Sequence, residues 1–332
     1  MKIAIIGAGT MGHGLALVYA LGGHQVALTD TRAETLAGAP GLIEAACRSL
    51  AEAGEVAPDW HAAHGAAAIN CVPDLAATVA GADLVIEAIT EQPEAKRALY
   101  ATLDKLLSAS AVLASNTSYL DVFPLIPPVR QARALIMHWY TPPYLVDLVD
   151  IVPGPQTSPD VIAAMRQLVL NLGKVPIIFH HFISGYVANR IQSAIALEVY
   201  RLLDDGVVSA ADIDNSVIHG LALRMPVLGV LAKADFTGLP LQRDALANRT
   251  YAPPPVRGQC DTIDRLLAAG NAGVMSGRGF FDWQGRTPEE LFRERDRRLL
   301  ALKRAFRDVG PLQGRETSQA AKILAGAKGS EQ

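Results

Sequence analysis

The stretch from Met1 to Asp30 constrains the fold more than any other. The apolar run Lys2-Ile3-Ala4-Ile5-Ile6 leads into Gly7-Ala8-Gly9-Thr10-Met11-Gly12, a helix-like stretch follows, and Gln25-Val26-Ala27-Leu28-Thr29-Asp30 closes the unit. A short buried strand, G-x-G-x-x-G, a helix and a second strand ending in an acid form the dinucleotide-binding fingerprint in its full context. Gly7 permits the tight turn out of the strand, Gly9 lets the backbone approach a pyrophosphate, and Gly12 lets the helix pack close to the sheet. Asp30 stands where a carboxylate accepts bonds from both adenosine ribose hydroxyls and repels a 2′-phosphate, so NAD is expected over NADP. Arg32 is the only nearby feature pointing the other way. A secretory signal is not expected here, because glycines at 7, 9, 12 and 14 would break its apolar helix.

A chain of 332 residues is long enough for two domains, each with its own core. Up to about residue 180, short apolar runs alternate with helical stretches, the pattern of a parallel sheet covered on both faces. Strands are expected at Lys2–Ile6, Gln25–Asp30, Ala67–Cys71, Asp83–Glu87, Ala111–Ala114, Arg133–His138, Leu148–Val152 and Val175–Phe179, and helices at 33–54 and 92–107. Beyond Ile183 the pattern is helical (Ile183–Leu203, 211–220, 260–269, 288–307), broken by a proline-rich loop over 249–258. The expected fold is α/β: a Rossmann-type doubly wound sheet over 1–182, then an all-helical domain over 183–310 and a loose tail over 311–332. The helical domain is expected to pair with a second copy of itself as a homodimer, since its long helices are apolar on more than one face.

The formal charge of −3 offers no basic surface for nucleic acid, and no apolar run approaches the roughly 20 residues of a membrane helix. Cys47, Cys71 and Cys260 are scattered and odd in number, which fits free thiols in a reducing cytoplasm. His61 with His64, and His180 with His181, have no third ligand nearby, so no metal is expected.

In open α/β sheets the site lies beyond the C-terminal ends of the strands. Ser118 follows the fifth strand, His138 ends the sixth, Asp150 lies on the seventh, and Asn189-Arg190 sits in the first turns of the long helix. Oxidising a secondary alcohol with NAD needs a group to take the hydroxyl proton, and histidine, with an ordinary pKa of about 6.5, suits this. A carboxylate beside it fixes the tautomer, while Ser118 and Asn189 can hold the oxygen that is alcohol in one direction and ketone in the other.

The Gly7/Gly9/Gly12 loop with Asp30, Val85-Ile86-Glu87-Ala88-Ile89-Thr90-Glu91, Ser115-Asn116-Thr117-Ser118, His138 with Asp150, Gly185-Tyr186-Val187-Ala188-Asn189-Arg190 and Gly277-Arg278-Gly279-Phe280-Phe281 occur in this order. In these elements, from Met1 to about Phe281, the sequence resembles the 3-hydroxyacyl-CoA dehydrogenase family. The resemblance implies that Ser118, His138 and Asn189 are catalytic or substrate-binding, with Asp150 as the histidine's acid. Cofactor contacts are expected from Gly7, Gly9, Thr10, Met11, Gly12, Asp30, Glu91, Lys96 and Asn116, the last either touching the nicotinamide ribose or holding its loop.

Two departures stand out. The family's His-x-x-Asn-Pro reads His138-Trp139-Tyr140-Thr141-Pro142, which places Thr141 among the expected substrate contacts, and its glutamate is Asp150. Aspartate is one methylene shorter, so its carboxylate sits roughly 1.5 Å further back or the strand shifts to meet the ring. Asp147 is a second acid nearby, on the opposite face by strand alternation.

The segment His138–Pro153, with Gly206-Val207-Val208-Ser209 and Gly220-Leu221-Ala222-Leu223-Arg224, resembles the branch acting on free hydroxy acids, which includes L-gulonate 3-dehydrogenase (related to lambda-crystallin) and carnitine dehydrogenase. Coenzyme A carries several phosphate charges that a binder meets with lysines and arginines. Between residues 33 and 95 this chain has only Arg48. The expectation is therefore a reversible NAD-dependent oxidation of the 3-hydroxyl of a small free acid, with Arg224, or behind it Arg190, on the carboxylate. A CoA thioester substrate and a non-catalytic NAD(H)-binding protein of the crystallin type stay open. A decarboxylating relative is disfavoured, since those enzymes place a lysine where Arg190 stands.

Overall fold

The computed structural model describes residues 1–60, 64, 68–248 and 251–312. The tail expected over 311–332 lies, beyond Leu312, outside the described residues, as do His61, Ala67 and the start of the proline-rich loop. The chain packs as two units, Met1–Gln192 with Arg293–Leu300, and Ser193–Phe292 with the chain from Ala301 on. The chain up to Gln192 and part of a late helix, Arg293–Leu300, thus pack in the first unit. The reason is burial: Tyr186 and Leu300 are 0% and 1% exposed within the first unit's cores.

In the first unit, β1 (Lys2–Ile6), β2 (Gln25–Thr29), β3 (Ile69–Cys71), β4 (Leu84–Glu87), β5 (Val112–Ser115), β6 (Ala134–Trp139), β7 (Leu148–Pro153) and β8 (Val175–Ile178) form one sheet of order β3-β2-β1-β4-β5-β6-β7-β8. Among the described residues, four α-helices accompany them before β6: α1 (Gly12–Leu21), α2 (Ala33–Glu52), α3 (Leu75–Val79) and α4 (Pro93–Leu106). α5 (Pro159–Asn171) joins β7 to β8. α4 carries Pro93 at its start, Glu94 in its first turn and Lys105 in its last, the arrangement a helix dipole favours.

The sheet separates two cores, as expected for strands covered on both faces. One gathers Leu15 and Leu17 of α1, Ile43 of α2, Met165 of α5 and Leu300; the other gathers Tyr100 and Leu103 of α4 with Phe123, Ile126 and Tyr186. At about 25 cal/mol per Å² of apolar surface removed from water, these cores are the main term holding the strand ends in place.

One expectation is corrected. The sheet is not parallel throughout: β6 and β7 run antiparallel, and the other pairings are parallel. Residues 140–147 link β6 to β7, too short a connection for the crossover of about a dozen residues that a parallel pair requires. This seam puts His138 directly opposite Asp150 in the register.

The second unit takes up the long helix α6 (Tyr186–Asp204) after Gln192 and continues through α7 (Ala210–Asn215), a π-helical turn (Ser216–Ala222), α8 (Met225–Leu228), α9 (Leu231–Thr237), α10 (Leu239–Ala247), α11 (Asp261–Ala268) and α12 (Pro288–Val309). Ser209 caps α7 by accepting the Asp212 N–H, and Thr287 with Glu290 forms a full capping box on α12. Among the described residues no single helix is long and apolar enough to cross a membrane.

Candidate active site

The glycine loop between β1 and α1 is a cradle that side chains would fill. Gly7 has φ +103°, and a Cβ there would meet the Ala88 carbonyl oxygen at 2.5 Å. At Gly12 a Cβ would fall 1.7 Å from the Gly7 carbonyl oxygen, whereas at Gly9 it would meet nothing within 4 Å. Two glycines therefore close the turn and the third leaves open space where a phosphate would approach. Asp30 is held by the Ala8 N–H on Oδ2 and the Arg32 N–H on Oδ1, each at 2.8 Å. A cleft of about 610 Å³ runs along this loop, lined by Gly9, Met11, Asp30, Arg32, Ala88 and Thr90 among others. The residues fit a dinucleotide: an acid for the ribose, open backbone for the pyrophosphate and a helix N-terminus beside it.

At the far ends of β5 to β7 the polar side chains converge. His138 Nδ1 lies 3.2 Å from Asp150 Oδ2, and His138 Nε2 lies 3.2 Å from Ser118 Oγ. An ionised carboxylate only accepts, so Nδ1 carries the proton toward Asp150 and the lone pair of a neutral ring sits on Nε2. Both His138 and Asp150 are buried, at 3% and 1% exposure, while Ser118 is half-buried. The shorter acid thus does reach the ring, because the antiparallel register sets it directly across. Asp147 is excluded as the partner: it pairs with Lys174 at 3.1 Å.

Two tyrosines that sequence reasoning passed over frame the histidine. The Tyr140 phenol donates to Asp150 Oδ2 at 2.7 Å, and its ring stands edge-on to the imidazole with centroids 4.5 Å apart. Burial, then the bond to Asp150 and its charge, push the Tyr140 phenol well above its ordinary pKa. Tyr186 lies 4.6 Å from the imidazole, centroid to centroid, and donates to the Thr117 carbonyl at 2.7 Å. Its φ of 49° is left-handed, an uncommon and strained conformation for a tyrosine; Gly185 before it has φ 79°. This double left-handed turn drives the Tyr186 ring inward at the start of α6. A tyrosine directly after the glycine of Gly185-Tyr186 is the signal that could have revealed it.

The loop bearing Ser118 is fastened from both sides. Gly185 N–H donates to the Ser118 carbonyl at 3.1 Å, and the Ser184 hydroxyl donates to that of Tyr119 at 2.9 Å. From below, Glu91 accepts the Ser118 N–H, the Tyr119 N–H and the Thr117 hydroxyl. Burial raises the Glu91 carboxyl, but the Ser118 N–H, the Lys96 charge and the Thr117 hydroxyl outweigh it and hold its pKa below the usual range.

Lys96, expected among the cofactor contacts, is paired with two acids. It is 1% exposed, with Nζ 2.6 Å from Glu87 Oε1 and 3.4 Å from Glu91 Oε2. Glu87 is the buried hub, accepting from Lys96, Tyr100, Ser115 and the Ile89 N–H. A buried charge is tolerated when paired and fully bonded, so Lys96 acts through Glu91 on the Ser118 loop. The lone acid ending an otherwise apolar strand, Leu84–Glu87, was the sequence sign of this hub.

The Trp139 N–H donates to Asn116 Oδ1 at 2.8 Å, which ties the β5 loop to the end of β6. Thr141 is exposed and its hydroxyl donates to Met11 Sδ at 2.9 Å, so the two loops meet there; Thr10 is exposed. Asn189 is half-buried on the helix turn after Tyr186 and shares its face, as i,i+3 neighbours do. Arg190 is exposed and donates from Nη1 to the Ser184 carbonyl at 3.5 Å. Arg224 lies in the second unit, exposed, and donates from Nε and Nη2 to the Gly220 carbonyl at 3.2 and 2.9 Å.

Comparisons with known proteins show the family to which the chain belongs. The model of the 3-hydroxyacyl-CoA dehydrogenase NAD-binding domain matches residues 2–182, and that of the C-terminal domain of the same family matches residues 185–283. The chain is 30% identical over 323 residues, 95% of its length and 99% of the relative's, to 5-formyl-3-hydroxy-2-methylpyridine 4-carboxylate 5-dehydrogenase of Mesorhizobium japonicum. A solved structure of a dehydrogenase for that compound, described as an NAD⁺-dependent dismutase, superposes with a TM-score of 0.81 at 29% identity, covering 95% of this chain and 99% of the other. The human lambda-crystallin homolog is 31% identical over 230 residues, 69% of this chain and 72% of that one.

Proposed function

We propose that this chain, which belongs to the 3-hydroxyacyl-CoA dehydrogenase family and is an NAD-dependent dehydrogenase acting on a CH–OH group, reversibly oxidises the 3-hydroxyl of a small free hydroxy carboxylic acid to the 3-keto acid. The observation that carries the reading is the line Ser118 Oγ, His138 Nε2, His138 Nδ1, Asp150 Oδ2, with both contacts at 3.2 Å.

His138 Nε2 takes the hydroxyl proton as the carbinol carbon loses hydride, and gives it back in the reverse direction. Asp150 accepts from Nδ1–H and stabilises the imidazolium. Ser118 and Asn189 position the substrate oxygen. Asp30 and the Gly7–Gly12 loop would hold NAD, which supplies the hydride acceptor. Glu91, Lys96 and Glu87 keep the Ser118 loop in place, and Asn116 and Thr141 set the edges of the cleft.

A free acid is favoured over a CoA thioester by charge. The one Lys or Arg between residues 33 and 95 is Arg48, which pairs with Glu44 at 3.2 Å, so this segment offers coenzyme A phosphates a single cation at most. The Mesorhizobium relative is named for a free pyridine carboxylate, which agrees with that choice. Arg224, which donates to the Gly220 carbonyl within its own unit, is the residue proposed for the substrate carboxylate on the strength of the sequence resemblance. An assembled base–acid pair also favours turnover over a purely structural role. A panel of free 3-hydroxy acids and their CoA thioesters, assayed with NAD by nicotinamide absorbance, tests the reading. Activity on thioesters alone would overturn the free-acid part, and tight NADH binding without turnover on any compound would overturn the enzyme.

The second unit leaves Leu231, Phe236 and Leu246 at 83%, 69% and 81% exposure. Large apolar side chains gathered on one small helical unit mark an interaction surface, and a second copy of this chain is the proposed occupant. Light scattering should give a dimer; a clean monomer would contradict it. The three cysteines are free thiols, which suits the reducing cytoplasm proposed as its location.

A further inference from the structure

We infer that Tyr140 is a positioning residue for the catalytic histidine, its phenol pinning the Asp150 carboxylate against the imidazole of His138. The inference rests on the reading of His138 as the base. Tyr140 follows His138 by two residues, just past the end of β6, and its phenol comes to the same acid that faces His138 across the register from β7. The three groups meet on one atom. Asp150 Oδ2 accepts from the phenol at 2.7 Å and faces His138 Nδ1 at 3.2 Å.

The lengths indicate which bond orders the acid. The contact to the ring is at the long end of the range for a catalytic hydrogen bond, about 2.6–3.2 Å, and the contact to the phenol is near its middle. A carboxylate one methylene short of its usual length reaches the ring only in a narrow set of side-chain torsions, and the phenol selects that set. Since the phenol stays protonated well above the usual range, it remains a donor at every pH at which the histidine works. Its ring, edge-on at 4.5 Å, also limits the tilt of the imidazole.

Tyr140→Phe keeps the ring and removes only the donor. Tyr140→Phe, Asp150→Glu, the double variant and His138→Ala should be compared by steady-state kinetics across pH, with NADH affinity as the check on folding. In Tyr140→Phe, kcat should fall on the order of tenfold with KM within about threefold of wild type. The pH at which kcat/KM falls on the acid side should move lower, because an imidazolium with a loosened counter-charge gives up its proton more readily. Asp150→Glu alone should lose activity, since Asp150 is only 1% exposed and the added methylene drives the carboxylate into the phenol. The double variant should recover to within about threefold of wild type, as the space left by the phenol oxygen admits the longer acid.

Wild-type turnover and an unmoved pH profile in Tyr140→Phe would overturn the inference, as would losses that simply multiply in the double variant. Should Asp150→Glu fail to fold, the Tyr140→Phe profile decides alone. Turnover surviving in His138→Ala would instead remove the base, and this inference with it. An inactive His138→Ala beside an unaffected Tyr140→Phe would remove this inference only.

Discussion

His138 and Asp150 face each other across the one antiparallel seam of the sheet, with Nδ1 and Oδ2 3.2 Å apart. The pair is made by topology. Residues 140–147 are too few to cross over, so β7 turns back along β6 and delivers an acid opposite the histidine. Asp150→Asn keeps the shape and presents an amide that can donate to Nδ1, which favours the wrong tautomer. Turnover should fall by about 10²–10⁴-fold with NADH affinity retained; stopped-flow measurement of both checks this, and a loss under about threefold would mean the acid does not set the tautomer.

Cofactor choice rests on Asp30, whose two oxygens are fixed by the Ala8 and Arg32 N–H groups. Asp30→Asn removes the charge and leaves Arg32, 3.9 Å away in wild type, without its counter-ion. The preference for NAD over NADP should narrow by about 10- to 100-fold in kcat/KM, the range for losing one charged hydrogen bond. An unchanged ratio would locate the discrimination elsewhere.

Glu91 makes stability depend on pH. Its folded pKa is depressed, so its contribution is fully present above the ordinary carboxylate range and is lost as pH falls through the lower, folded value. Melting temperature should therefore drop below about pH 4.5 more steeply in wild type than in Glu91→Gln. Because Glu91 is 39% exposed, the difference should be modest and should shrink with added salt. Parallel curves for the two proteins would contradict the role given to this carboxylate.

Leu300 of α12 is 1% exposed in the core that also holds Leu15 and Leu17 of α1, and Asp296 on the same helix accepts from Tyr144 at 3.1 Å. Tyr144 follows Pro143, whose ring would meet a Cβ at Gly14 of α1 at 2.8 Å. Leu300→Ala should cost about 2–5 kcal/mol in denaturant unfolding, as for other buried leucines. A cost near zero would show that α12 does not complete this core.

The strands and most of the site were legible because both write plain signals. Continuous apolar runs such as Leu84–Ile86 mark strands buried on two faces, and Ser118, His138 and Asp150 sit at predictable strand ends. The reversal at β7 was missed: the apolar runs read as parallel strands buried on both faces, and the short link 140–147, too few residues for a crossover, was the sign that β7 turns back. Nor was the pairing of Lys96, expected among the cofactor contacts, legible, because its buried partner Glu87 comes from a different element, the end of β4. Tyr140 and Tyr186 escaped because a tyrosine's task depends on which group its hydroxyl meets across the fold. The contribution of Arg293–Leu300 to the first unit escaped for a similar reason, since a helix late in the chain gives no sign of which core it serves.

The most direct test of the central claim is His138→Ala, with kcat and NADH affinity measured on one preparation using the best hydroxy acid from the substrate panel. The account predicts a fall in kcat of about 10²–10⁴-fold with NADH affinity within a few-fold of wild type. Turnover within about threefold of wild type would contradict it, since some other group would then be taking the proton assigned to this imidazole.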